Sequence, residues 1–254
     1  MGVRIGLQLY SIRQAMEEDF FGSLAKVKAA GYDCVEFAGY GGYSAAKLKQ
    51  ELDKIGLEAY STHVGSERLA DHLEEEIAFS VELGLSWVIC PGYPIHEAAD
   101  CGKIAEILAR AAKAFQPYGI RVGYHNHHRE FVQFDGRYAL DLIAQNAGNL
   151  PVAIELDVCW AQYANVDPLV YYRTLGSKAG PLHCKDINAD YAVIAGSDIN
   201  VEVGNGIIDF AALIDAARQQ GTLEHGLIVE QEAFTRDMFE SIQISCENLR
   251  RLLA

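Results

Sequence analysis

Carboxylates, imidazoles and an ammonium group recur in four short segments of this chain: Tyr124-His125-Asn126-His127-His128-Arg129-Glu130, Glu155-Leu156-Asp157, His183-Cys184-Lys185-Asp186 and Glu230-Gln231-Glu232. Each segment stands at or just beyond the end of a compact apolar run. Carboxylates delivered from separate runs into one apolar space repel one another and lose hydration unless a cation or a proton compensates, so a shared divalent metal is the economical expectation. Asp157, His183 and Glu230 are the expected ligands. Taken singly, a histidine at such a place is more often a hydrogen-bonded structural residue, and an aspartate a helix cap. Together they point to a site. Mixed nitrogen and oxygen donors suit Mn²⁺, Zn²⁺, Co²⁺ or Fe²⁺ better than Ca²⁺, with Mg²⁺ completing the candidate ions.

The elements that must position these residues alternate from end to end. Short apolar runs at residues 3–10, 34–37, 59–63, 87–90, 121–125, 152–157, 182–185 and 227–230 read as strands. Each is followed by a stretch with apolar residues three and four apart, at 20–30, 45–55, 68–83, 102–118, 138–147, 168–175, 210–219 and 237–253, as a helix requires. Gly31, Gly56, Gly84, Gly119 and Gly221 close helical patterns just before the next strand, where left-handed caps belong. Eight such units predict a single parallel (β/α)₈ TIM barrel over 1–254, with an open doubly wound sheet as the alternative. No Gly-x-Gly-x-x-Gly follows the first strand to support that alternative. Barrel active sites form at the carboxyl ends of the strands. Gln8, Tyr10, Glu36, His63, His125, Glu155, Asp157, His183, Lys185 and Glu230 all fall there. The polar stretch 188–206 reads as a long active-site loop after the seventh strand.

Composition agrees with one domain. The 254 residues are 50% hydrophobic and include 23 glycines, and one barrel of this kind takes about 250 residues. A net charge of −14 repels phosphate backbones and anionic membranes, so neither nucleic acid nor a membrane is expected as a partner. The first residues carry no apolar leader, which predicts a cytoplasmic chain. The six cysteines include no C-x-x-C pair and read as buried small hydrophobes. His72, His96 and His225 read as surface residues. The sequence leaves a homo-oligomer open.

The chain resembles the sugar phosphate isomerase/epimerase family of the xylose-isomerase-like TIM barrels over nearly its whole length. The resemblance rests on Gly31-Tyr32-Asp33-Cys34-Val35-Glu36, Tyr124-His125-Asn126-His127 with Glu130-Phe131, Leu156-Asp157-Val158 before Trp160, His183-Cys184-Lys185-Asp186, Gly204-Asn205-Gly206-Ile207-Ile208-Asp209 and Val229-Glu230-Gln231. It implies a divalent metal held by Glu, Asp, His and Glu from strands five to eight. The last three map onto Asp157, His183 and Glu230, but strand five ends in His125 where those relatives carry glutamate. The fourth ligand is then His125, with Glu130 and Glu155 as alternatives.

The implied chemistry is isomerisation or epimerisation of a sugar or keto-sugar through an enediolate. Glu230 is one acid/base candidate and His127, Glu130 or His125 the other, and Lys185 would stabilise the enediolate oxygen or, more plainly, pair with Asp186. Gln8, His63 and Asn126 are expected to touch the substrate, with Trp160 as a wall for its ring. The departure on strand five keeps a dehydratase or lyase acting on a keto-sugar or keto-inositol as the main rival. A phosphodiesterase acting on abasic DNA is disfavoured by the acidic charge, and a non-catalytic sugar-binding barrel is the remaining alternative.

Overall fold

The computed structural model describes residues 2–148, 150–193 and 199–254. Eight parallel strands line a central barrel: β1 (Ile5–Gln8), β2 (Cys34–Phe37), β3 (Glu58–His63), β4 (Trp87–Cys90), β5 (Arg121–His125), β6 (Val152–Glu155), β7 (Leu182–Cys184) and β8 (Leu227–Val229). Their order is β6-β5-β4-β3-β2-β1-β8-β7, so the chain winds in one direction and β1 pairs with β8. The remaining seam, between β6 and β7, is spanned by bridges at Ile154–Ala179 and Asp157–His183. Gly180 N–H donates to Ile154 O at 2.7 Å and His183 N–H to Leu156 O at 3.1 Å. This is the expected (β/α)₈ barrel rather than a doubly wound sheet.

Helices α1 (Phe20–Ala29), α2 (Ala45–Ile55), α3 (Leu73–Leu83), α4 (Ala98–Phe115), α5 (Ala139–Asn146), α6 (Pro168–Leu175), α7 (Phe210–Gln220) and α8 (Met238–Leu253) follow the strands. Helix α2 shows why. The Ser44 side chain accepts from Lys47 N–H at its start, Ala45, Leu48 and Leu52 share the buried face, and Gly56 at φ 79° ends it. Each buried leucine contributes about 1.5–3 kcal/mol, while capping relieves the unpaired first-turn amides. Among the described residues, no helix is long and apolar enough to cross a membrane.

Several boundaries differ from the sequence reading. The first strand stops at Gln8, because Leu9–Ile12 turns into a 3₁₀ helix that leaves Tyr10 43% exposed. The helix expected over 68–83 is broken at His72 into Ser66–Asp71 and α3. Two short helices, Arg13–Glu18 and Val158–Tyr163, occupy βα loops. The stretch 188–206 is more than a loop: Asn200–Val201 pairs antiparallel with Asp186–Ile187. Residues 194–198 of that stretch lie outside the described residues. His225 is half-buried rather than on the surface, its Nδ1 2.9 Å from Ala179 O and its ring against the edge of Trp87. The cysteines are free and buried, as expected.

The two-residue alternation of strands then builds the barrel interior in layers. Cys34, Tyr60, Trp87, Ile89 and Ile228 pack together as an apolar floor, with Ala153 against them. Gly6 and Gly123 sit in that floor where a Cβ would come within 2.8 Å of Ile228 and Ile89 respectively. Two residues further along the same strands stand Glu36, Glu155, Glu230, Gln8 and His125, all buried. Polar groups thus form the next layer up, at the carboxyl end of the barrel.

Candidate metal centre and active site

Register brings the polar layer together pairwise. Gln8 lies beside Glu36 across β1 and β2, His125 beside Glu155 across β5 and β6, and Asp157 beside His183 across the seam. Asp157 is fixed from several sides. Its backbone N–H donates to Asn126 Oδ1 at 2.9 Å, Asn126 Nδ2 donates to its carbonyl at 3.3 Å, and its Oδ1 caps the Val158–Tyr163 helix by accepting from Trp160 N–H at 3.0 Å. The other oxygen, Oδ2, faces the barrel axis, 3.3 Å from His183 Nδ1 and 3.9 Å from His125 Nε2. Glu230 Oε2 lies 4.0 Å from His183 Nδ1. One ligand atom each from Asp157, His183 and Glu230 falls within 4.8 Å of the others.

This donor set fits a divalent ion. Asp157, His183 and Glu230 converge to within 4.8 Å of one another, His183 Nε2 on the other side of the ring faces Glu36 Oε1 at 3.5 Å, and Glu36 Oε2 and Glu155 Oε1 deeper in the barrel have no hydrogen-bond partner. Unpaired buried polar atoms are costly. The charge balance shows the same need. Burial disfavours charge on His183, yet Asp157 and Glu36 raise its pKa well above the usual imidazole value. Burial likewise opposes charge on His63, but Glu36 and Glu155 push it up to about 10. Burial and the Glu36 charge push Glu155 up to about 7. Glu36 itself, despite burial, is held well below the usual carboxylate range by His63 and His183. These shifts favour protonated imidazoles as the partners of the buried carboxylates, a role that a divalent cation would take over.

Lys185 is fully buried. Its Nζ lies 3.0 Å from Glu230 Oε2, contacts Glu232 and sits 4.9 Å from the centre of the Trp160 ring. Burial opposes its charge, but Glu230, Asp157 and Glu232 raise its pKa and keep it protonated. It therefore pairs with Glu230 and Glu232 rather than with Asp186. The Asp186 carboxylate instead accepts backbone N–H groups of Ile187, Gly204, Gly206 and Ile208, which folds the 199–208 segment against the barrel. Burial opposes ionisation of Glu230 too, and Lys185 and His183 overcome it to keep its pKa below the usual value.

The remaining expected residues fall into two groups. His63, His125, His127 and Glu230 line one cavity of about 510 Å³ at the barrel mouth, together with Tyr10, Gly39 and Glu232. The His127 ring stands 5.1 Å from that of His125 and 5.8 Å from Trp160, and burial lowers its pKa, leaving a neutral imidazole. The polar groups of Gln8, Asn126 and Glu130 are already engaged within the protein. Gln8 donates to Glu36 Oε1 at 2.8 Å and accepts from Tyr10 N–H at 3.0 Å. Buried Glu130 accepts from Tyr124 Oη at 2.9 Å and from His127 N–H at 2.8 Å. The sequence places Glu36 among the polar strand ends and Glu232 in the Glu230-Gln231-Glu232 segment but gives neither a role, and both belong to the cluster. The signal was present: each stands two residues from another inward-facing position, Cys34 and Glu230.

A second cavity, of about 370 Å³, adjoins the first through Tyr10, Ala38 and Gly39. Arg13, Phe20 and Tyr43 line it, and the Arg13 guanidinium lies 4.1 Å from the Tyr10 ring centre.

A closed parallel barrel with carboxylates and imidazoles at its carboxyl mouth is the architecture of the xylose isomerase-like TIM barrels. The family model of the xylose isomerase-like TIM barrel matches residues 24–252, and the chain belongs to that family. It is similar to a sugar phosphate isomerase/epimerase from Parabacteroides distasonis: 26% identity, TM-score 0.85, 98% of this chain and 94% of that one covered. An L-ribulose 3-epimerase shares the fold at 18% identity and TM-score 0.72, covering 100% and 95% of the two chains. So does a probable 3-DHS dehydratase from Bacillus anthracis, at 13% identity and TM-score 0.69, covering 97% and 98%. No curated protein matches the chain.

Proposed function

We propose that the protein is a metal-dependent isomerase or epimerase of a sugar or keto-sugar, working through an enediolate. The observation that carries this reading is the meeting of Asp157, His183 and Glu230 within 4.8 Å, with the Lys185 ammonium 3.0 Å from Glu230. The similarity to the Parabacteroides isomerase/epimerase supports it. Asp157, His183, Glu230 and the Nε2 of His125 would hold the ion. When bound, a divalent ion supplies positive charge that stabilises oxygens of an enediolate. The fixed ammonium of Lys185 adds to that stabilisation without reorganising during the reaction.

Proton transfer falls to residues at the cavity wall. Glu230, ionised at neutral pH, accepts the proton from the carbon beside the carbonyl. Neutral His127 lies across the mouth as the second acid/base group, since imidazole needs little tuning to work near pH 7. Return of the proton to the same carbon from the opposite side gives the epimer; return to the neighbouring carbon gives the isomer. Glu130 supports His127 through its backbone, Asn126 supports Asp157, Gln8 supports Glu36, and Trp160 closes the wall behind Lys185. The net charge of −14 argues against a nucleic acid substrate.

Elimination from a keto-sugar or keto-inositol is the second reading. Two observations favour it: strand five presents an imidazole in place of a second carboxylate, and the adjoining cavity beside Tyr10 and Arg13 has room for a leaving group. Incubating metal-loaded protein with a panel of keto-sugars in deuterated water tests both. Deuterium entering next to the carbonyl with no change in formula supports the first reading, and an ultraviolet-absorbing unsaturated product supports the second. Absence of exchange and of product across the panel would overturn both.

A further inference from the structure

At the opposite end of the barrel, where the strands begin, lies a cavity of about 470 Å³ that the proposed chemistry does not use. We propose that it binds a small phosphate monoester dianion, held by Arg121, Lys178 and His225 beside Trp87. The described lining carries two cations, Arg121 and Lys178, and no carboxylate. That is unexpected in a chain with 35 Asp and Glu against 21 Lys and Arg. Other cations at this end are neutralised: Arg4 lies 2.7 Å from Glu58, and Arg250 2.7 Å from Asp33. Among the described residues, Arg121 and Lys178 have no carboxylate partner. Like charges brought to one cavity repel each other and focus a positive field there, so a bound anion is their stabilising complement.

Each of the three side chains is held in place by the protein while keeping groups to spare. The Arg121 guanidinium lies over the ring of Trp87, 4.5 Å from its centre, and Trp87 is itself only 1% exposed. Stacking of this kind orders the planar fork in advance and leaves its N–H groups for bidentate contact with phosphate oxygens. Lys178 Nζ donates to Ala144 O, which fixes the ammonium and leaves two N–H groups. His225 is anchored by Nδ1, which donates to Ala179 O at 2.9 Å, and by the Tyr60 hydroxyl, which donates to the His225 carbonyl at 3.0 Å. Its ring meets that of Trp87 at 65°, with centres 5.3 Å apart. Nε2 then carries the lone pair of the neutral tautomer and makes no hydrogen bond among the described residues. Burial holds the imidazole below its usual pKa; the Ala179 carbonyl opposes this, and Arg121 lowers the value more than Glu224 raises it. A dianion beside Nε2 reverses that balance, drawing a proton onto the ring and gaining a third donor. Pro151 and Ala153 give an apolar wall for the carbon skeleton of the ester, in a volume suited to a small organic ligand.

This inference goes beyond the proposed reaction and does not depend on it. The full chain has two tryptophans, so Trp160→Phe leaves Trp87 as its single indole reporter. Glycerol phosphate and inorganic phosphate, titrated at constant ionic strength, should change the Trp87 emission saturably, and chloride should not. Adding Arg121→Gln, at an exposed position, should weaken phosphate binding by about ten-fold or more, the usual cost of losing a charge-assisted hydrogen bond. The unsubstituted protein gives a second readout by NMR: the His225 imidazole, assigned by comparison with His225→Gln, should titrate at higher pH when phosphate is present. An unchanged His225 titration would overturn the inference, as would equal phosphate affinity with and without Arg121→Gln, or an equal response to chloride. Tighter binding of malonate than of either phosphate would overturn the choice of a phosphate ester as the ligand.

Discussion

His125 and Glu155 are partners in register on adjacent strands, with His125 Nδ1 3.1 Å from Glu155 Oε2 and both side chains buried. That contact turns the other ring nitrogen, Nε2, towards Asp157. A histidine that binds metal through one nitrogen is usually held by a carboxylate or carbonyl at the other. His125→Ala should therefore weaken metal binding at the Asp157–His183–Glu230 group by roughly 10-fold or more. Competition against a chromophoric chelator measures it, and unchanged affinity would remove His125 from the ligand set.

Asp157→Ala and His183→Ala should each lose bound metal while the barrel stays folded. The carboxyl face of such a barrel carries function, and the apolar floor beneath is untouched by either change. Circular dichroism and elemental analysis of the same samples check both halves of the statement.

Glu230→Gln keeps the shape of the side chain but removes its ionisable group. If Glu230 transfers the proton, deuterium exchange into substrate should fall by about a hundred-fold or more, within the range of general acid/base catalysis. Near-normal exchange in a metal-loaded variant would leave Glu230 as a ligand only.

Metal binding and stability should both depend on pH, in directions set by the imidazoles. His183 holds a proton well above the usual imidazole range in the metal-free protein and must give it up to become a ligand. Zinc binding at pH 7 should thus release protons, detectable as a buffer-dependent heat in calorimetry, and affinity should rise with pH. His63 has a folded-state pKa of about 10 against an ordinary value of 6.5. Its contribution to metal-free stability is fully present below about pH 6.5 and is lost as pH rises through about 10. Denaturant midpoints of chelator-treated protein should fall across that window, and fall less in His63→Gln.

Gly206→Ala should destabilise the protein by about 1–3 kcal/mol, the usual cost of forcing atoms into a packed site. An added Cβ would lie 2.2 Å from Asp186 Oδ1 and 2.4 Å from the Ile187 carbonyl. Because Asp186 adjoins Lys185, the substitution should also slow turnover. A melting temperature equal to wild type would show that the 199–208 segment can yield.

The sequence alone carries the barrel and most of the residues that meet at its mouth, because both follow from local periodicities. Strands buried on both faces read as short apolar runs, helices as apolar residues three and four apart, and polar residues at strand ends mark the mouth. Asp157, His183 and Glu230 were legible for that reason. What stayed hidden depends on register between strands distant in sequence. Only pairing across the closed barrel sets Gln8 beside Glu36, His63 between Glu36 and Glu155, and Lys185 against Glu230 and Glu232 rather than its neighbour Asp186. Asp186 could not be assigned to the Gly204–Gly206 backbone from spacing, since a loop's path is decided by which buried acceptors its amides can reach. Sequence determined which groups would crowd the mouth; tertiary structure decided which of them are already engaged with one another and which remain for a metal or a substrate.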